Sequence, residues 1–178
     1  GRNSAALILG RFPMAKMRFH LLGLAHIETT KENSSCAYTQ KIIKLANMIK
    51  KFGHTIYFYG VEGSQVACDE FIQVSSQNLL RDTYGEYDRK TLFFKCDPND
   101  KAHTTFNENA IKAINENKKA GDVLLCTMGV YQKSIADATK LLCIESGIGY
   151  SGVFSDYKVF ESYAWMHYIY GRLGADDG

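Results

Sequence analysis

Twice in this chain a run with helical spacing ends in paired lysines and a glycine, then passes directly into a short, nearly unbroken apolar stretch. In the first copy, Ile42, Leu45, Ala46, Ile49 and Phe52 share a helical face, Lys50-Lys51-Phe52-Gly53 follows, and Thr55-Ile56-Tyr57-Phe58-Tyr59-Gly60 reads as a strand. In the second, Ala110, Ile111 and Ile114 lead to Lys118-Lys119-Ala120-Gly121 and then to the run from Asp122 to Gly129. Lysines in a last turn complement the helix dipole and a glycine just beyond supplies a left-handed cap, so each helix is expected to stop there. Strands that are apolar at consecutive positions need cover on both faces, and helices between them supply it. Phe19 to Ala25 and the short run Leu141 to Ile144 complete the series. The expected fold is therefore α/β, with an open, doubly wound, mostly parallel sheet.

The remaining elements follow from local signals. Phe71 to Val74 reads as a strand, Gln77 to Thr83 as a short helix, and Tyr84 to Lys95 as a loop or edge element. Ser35 is placed to cap the first helix. Thr105-Phe106-Asn107-Glu108 matches a capping box and sets a helix over 105–119. A last helix is expected from Val159 to Tyr170, with Phe160, Tyr163, Ala164, His167 and Tyr170 on one face. Residues 1–16 lack periodicity and read as a leader, non-native or disordered, which leaves one domain over 17–178.

Charge and cysteine usage exclude several classes. Lysine and arginine number 21 against 19 acidic residues, so no basic stripe for nucleic acid is present. The five cysteines form no Cys-x-x-Cys pair, which fits neither a disulfide scaffold nor a zinc site and suits a reducing, cytoplasmic setting. The leading apolar run, Ala5 to Leu9, is far short of the roughly 20 residues that span a bilayer. Gly-x-Gly-x-x-Gly after the first strand, the phosphate-binding loop, His-Glu-x-x-His and Gly-x-Ser-x-Gly are all missing.

Ligands of open α/β sheets bind beyond the carboxyl ends of the strands. Here those ends carry His26-Ile27-Glu28-Thr29-Thr30, Gly60 to Ser64, Gly129-Val130-Tyr131-Gln132, and Glu145 to Tyr150. Each position also has a plain structural reading: a hydrogen-bonded histidine for His26, loop and cap roles for Thr29 and Thr30, unusual backbone angles for Gly147 and Gly149. His103, expected just before a helix, has no evident role.

The blocks Leu24-Ala25-His26-Ile27-Glu28-Thr29-Thr30-Lys31, Phe106-Asn107-Glu108-Asn109-Ala110-Ile111, Glu145-Ser146-Gly147-Ile148-Gly149-Tyr150 and Lys158-Val159-Phe160-Glu161-Ser162-Tyr163-Ala164-Trp165-Met166-His167 resemble the N-terminal half of a group of GT-B glycosyltransferases known mostly from phage and environmental sequences. The resemblance implies a Rossmann-like domain that receives the acceptor, a C-terminal domain that holds most of the nucleotide-sugar donor and is missing here, and a fragment inactive by itself. It implies His26 and Glu145 as catalytic groups near the acceptor hydroxyl. Thr29, Thr30, Tyr131 and Gln132 would bind the acceptor, and Gly147, Gly149, Tyr150, Glu161, Trp165 and His167 would line the cleft or donor side. Many relatives of the wider fold have a histidine where Gly129 to Gln132 stand. No metal or other cofactor is implied. The alternative is a non-catalytic Rossmann-like module that binds carbohydrate or nucleotide. A response-regulator-like domain lacks the acidic pair it would need after the first strand.

Overall fold

The computed structural model describes residues 15–86 and 97–175. The elements run β1 (Arg18–Leu22), α1 (Ala37–Lys51), β2 (Thr55–Val61), β3 (Glu70–Ser75), α2 (Gln77–Tyr84), α3 (Lys101–Asn117), β4 (Val123–Cys126), α4 (Lys133–Thr139), β5 (Leu142–Ile148), β6 (Tyr157–Phe160) and α5 (Tyr163–Ala175), with a 3-10 turn at Gly129–Gln132. The six strands form one sheet in the order β3-β2-β1-β4-β5-β6, and every pairing is parallel. That is the open, doubly wound, Rossmann-like arrangement expected from the apolar runs. Among the described residues no helix is long and apolar enough to cross a membrane.

Each face of the sheet has its own core. On one, Leu21, Ile56, Phe58, Val123 and Leu125 meet Ile42, Ala46 and Ile49 of α1. On the other, Leu22, Tyr59, Val74, Leu124 and Cys126 meet Phe106, Ala110 and Ile114 of α3 and Ile135 of α4. The central strands are thus buried on both sides, whereas the edge strands β3 and β6 keep exposed positions. At the amino end of the strands, wholly buried His20 donates from Nε2 to Asp122 Oδ2 at 3.0 Å, and its Nδ1 accepts from Tyr59 OH at 2.8 Å. Burial outweighs the nearby Asp122 charge and holds the His20 imidazole below its ordinary value.

The first helix ends as its sequence predicts, with Lys50 and Lys51 in the last turn and Gly53 at φ +81°. Five local expectations need correction. Helix α3 starts at Lys101, because Asp100 caps it through the His103 amide, so Thr105 lies within the helix. It also stops before its lysines: Lys118 turns extended and reaches the Thr139 carbonyl, while Gly121 takes φ +87° in the turn ahead of β4. Cys36, not Ser35, precedes α1, and no side chain caps that helix. Leu141 to Ile144 is only the start of β5, which continues to Ile148 and is followed by a sixth strand. Val159 and Phe160 belong to that strand, and α5 begins at Tyr163 with Trp165 and Ile169, rather than Tyr163 and Tyr170, turned toward the protein. A four-residue Tyr-Lys-Val-Phe run satisfies either period, and pairing with β5 decides it. Residues 1–14 of the expected leader, and most of the loop or edge element over 84–95, lie outside the described residues.

Candidate functional site

Strand order reverses between β1 and β4, so the chain leaves these neighbours toward opposite faces and opens a crevice at their carboxyl ends. Gln132 holds the crevice together. Its buried Oε1 accepts from the Thr127 amide at 2.8 Å and the Met128 amide at 3.1 Å, and its Nε2 donates to the Gly23 carbonyl at 2.8 Å. Thr127 adds a bond from its hydroxyl to the Leu22 carbonyl. The end of β4 is thereby tied to the end of β1, and Gln132, expected to touch an acceptor, is engaged with backbone.

Three rings gather over this junction. Half-buried His26, from the loop after β1, stacks on His103 of α3 with centroids 6.0 Å apart, and His103 meets Tyr131 at 5.3 Å. Asn107 fixes Tyr131 by donating to its carbonyl at 2.8 Å. His103 is 2% exposed. Its Nδ1 donates to Asp100 Oδ1 at 3.0 Å, and the other oxygen of Asp100 accepts from Tyr84 OH at 2.6 Å. Burial pushes the Asp100 carboxyl up, but hydrogen bonds from Tyr84 and from the amide and ring of His103 outweigh it and hold the group below the usual carboxylate range. An ionised Asp100 fixes a hydrogen on Nδ1, which in the neutral imidazole leaves Nε2 as the acceptor, and Nε2 is buried without a partner.

Beside the rings, the loop after β1 is pinned by its own polar groups. Thr29 is fully buried, its amide donates to Ser64 Oγ at 3.0 Å and its carbonyl accepts from Gln65, yet Oγ1 has no partner. Thr30 is nearly buried and accepts from the Asn33 amide through its carbonyl. Glu28 accepts from Asn33 at 3.0 Å and from Gln77 at 3.1 Å. At the end of β3, Ser75 Oγ is likewise buried and unpartnered. Beside it, Glu62 accepts from the Gln77 amide at 3.0 Å, and Gln77 also donates to Glu28, which links the ends of β1, β2 and β3.

The second group of expected residues lies along β5, β6 and α5 and is built mainly into the scaffold. Glu145 stands within β5 rather than beyond it and is 0% exposed. One oxygen accepts the Phe154 and Ser155 amides, both at 2.8 Å, and the other accepts Tyr150 OH at 3.4 Å. Burial, with the Glu145 charge beside it, drives the Tyr150 phenol well above its ordinary value. Gly147 sits at φ +68° where the β5–β6 register shifts, so it is the extra residue of a bulge. Gly149 lies directly against the Glu161 carboxylate, which pairs with Lys41. Trp165 is half-buried against the Ile148–Tyr150–Ile169 cluster, and His167 is exposed on α5. Val130 N donates to the Gly152 carbonyl at 2.9 Å, which joins this group to the crevice wall.

The structure therefore brings His26, Thr29, Thr30, Tyr131 and Gln132 to one crevice. Glu145, Gly147, Gly149, Tyr150, Glu161 and Trp165 shape an adjoining wall, and His167 stays apart. His103, Asp100 and Tyr84 are not among the expected site residues; the spacing Asp100-x-x-His103, an acidic cap and the third residue of its helix, is the signal in the sequence that points to them. Among the described residues, no group of three or more His, Cys, Asp or Glu is arranged to hold a metal ion. Comparison with protein families, with curated proteins and with solved structures returned no match to this chain.

Proposed function

We propose that this domain receives the acceptor in a glycosyl transfer from a nucleotide-sugar, with a second domain holding the donor. The observation that carries the reading is the chemistry around the β1–β4 crevice: the buried hydroxyl of Thr29 and the buried Nε2 of His103 lack partners, and the carboxylates of Glu28 and Asp100 stand on the same segments. Native interiors rarely leave such groups unmatched, so a hydroxyl-rich ligand is the complementary occupant. Carboxylates oppose a diphosphate, and the nearby cation Lys41 is already held by Glu161. A neutral sugar or glycoside therefore suits this half of the site, and the donor's diphosphate requires positive or amide groups elsewhere. The reading places the protein in the cytoplasm, in keeping with the free thiols of Cys36, Cys68, Cys126 and Cys143.

Titration calorimetry of the 178-residue chain tests it. Neutral monosaccharides and disaccharides should bind with a Kd of about 1 mM or tighter, and UDP and GDP far more weakly. Tight nucleotide binding with no response to any neutral sugar would overturn the acceptor-side assignment. The full engagement of Glu145 by Tyr150, Phe154 and Ser155 favours a second reading, a binding module without catalysis. Transfer by a longer form of the protein, incubated with nucleotide-sugars and the sugar that binds, separates the two.

A further inference from the structure

Among the polar groups at the carboxyl edge of the sheet, His103 is the one prepared for proton chemistry. Its Nδ1 is engaged by Asp100, Asp100 is engaged by Tyr84, and its Nε2 is buried with no partner at all. Helix α3 sets the pair, because Asp100 caps the first turn and His103 is the third residue within it, so one carboxylate binds both the amide and the ring of His103. A purely structural buried histidine would have both nitrogens matched, as His20 has in the same protein through Asp122 and Tyr59. The ring also lies between His26 of the β1 loop and Tyr131 of the β4 loop, at the junction of the two strand ends. Glu145 is wholly buried and its oxygens are already accepting.

We propose that His103 takes the proton of a ligand hydroxyl in this crevice, with Asp100 and Tyr84 fixing the ring that receives it. The inference rests on the acceptor-side reading above. In the transfer, the O–H proton of the acceptor sugar passes to Nε2 and gives an imidazolium whose Nδ1–H stays on Asp100. The freed oxygen pair forms the bond to the anomeric carbon of the nucleotide-sugar. The bond from that carbon to the diphosphate breaks, and its electrons leave on the diphosphate oxygen. The His26 ring stacks on His103, so a hydroxyl that reaches Nε2 must share this position with His26.

Ring-nitrogen NMR of the 178-residue chain with ¹⁵N-labelled histidine reads this directly, since the chain has five histidines and His103→Gln assigns the signal. Near neutral pH, His103 should show a protonated Nδ1 and an unprotonated Nε2, and Asp100→Asn should abolish that preference. Titration with D-glucose, D-galactose and N-acetyl-D-glucosamine should shift the Nε2 signal, and His103→Gln should weaken binding about 5- to 10-fold, the size of one hydrogen bond. A wild-type Nε2 that carries hydrogen overturns the proposal whether or not the Asp100 variant folds. A sugar that shifts the β1 and β4 loop amides but leaves Nε2 unmoved overturns the role of His103 and spares the acceptor-side reading. If none of the three sugars binds, the acceptor-side reading fails and the proposal with it.

Discussion

Replacing Gln132 with alanine should be among the most damaging single changes in this domain. The side chain makes three hydrogen bonds to buried backbone, at 2.8, 3.1 and 2.8 Å, and alanine leaves the Thr127 amide, the Met128 amide and the Gly23 carbonyl with no partner. Each buried backbone group left unmatched costs about 1–3 kcal/mol. The two amides share one oxygen and a water can enter the vacated space, so the sum falls at about 3–6 kcal/mol rather than at the upper limit. Against a typical domain stability of about 5–15 kcal/mol, that is a large fraction, and it corresponds to a fall in Tm of roughly 6–24 °C. Urea titration followed by circular dichroism should show the midpoint shifted with an unchanged slope. Gln132→Glu sharpens the test. It keeps an oxygen for both amides but turns a second oxygen toward the Gly23 carbonyl, so its deficit relative to the parent should shrink as the pH falls below about 5 and the carboxyl gains a hydrogen to donate. A loss below about 1 kcal/mol for the alanine variant would show that the strand ends do not depend on this tie.

Two further predictions concern other parts of the fold. His20 has a folded value below its ordinary 6.5, so the unfolded chain binds more protons between the two values; stability is full above 6.5 and falls as the pH drops through the lowered value. Urea midpoints measured from pH 7.5 to 5 should show that slope, and His20→Gln should flatten it; an identical slope in the variant would assign the acid sensitivity elsewhere. Gly53→Ala and Gly129→Ala separate backbone strain from collision. Gly53 has φ +81° with nothing near an added Cβ, so alanine should cost only about 1–2 kcal/mol. At Gly129, with φ +57°, a Cβ would lie 2.5 Å from the Gly152 carbonyl and 2.8 Å from the Tyr150 ring, so the thermal melt should fall several degrees further; equal melts would deny that contact.

The architecture was legible because its signals are local. Lys50-Lys51-Phe52-Gly53 marks a helix end by dipole and cap, and the apolar run of β4 admits little besides a buried strand. Errors came where two local readings compete. Thr105 with Glu108 and Asp100 with His103 are both sound helix starts, and the network to Tyr84 favours the earlier one. Gly147 resembles a turn glycine, but in β5 it supplies the positive φ of a bulge and the strand runs on. The sequence offers four strand ends for a site, and the strand order, which reverses between β1 and β4, singles out the crevice there. Beyond the local Asp100–His103 pair its chemistry was not legible, because Tyr84, the α3 start, His26 and Tyr131 come from separate segments and only the folded chain sets their rings and carboxylate together.

Strand β6 is joined to β5 through residues 149–156 without an intervening helix, and Glu145 anchors that connection by the Phe154 and Ser155 amides. Glu145 thus adds a buried carboxylate to the β5–β6 ladder and the Ile148–Tyr150–Ile169 cluster that hold the peripheral unit of β6 and α5 to the inner strands. In amide hydrogen exchange the amides of β6 and α5 should open together at a free energy well below that of β1 and β4, and Glu145→Ala should lower that threshold while leaving the inner strands' protection in place. The crevice wall would then breathe on its own clock, independent of global unfolding.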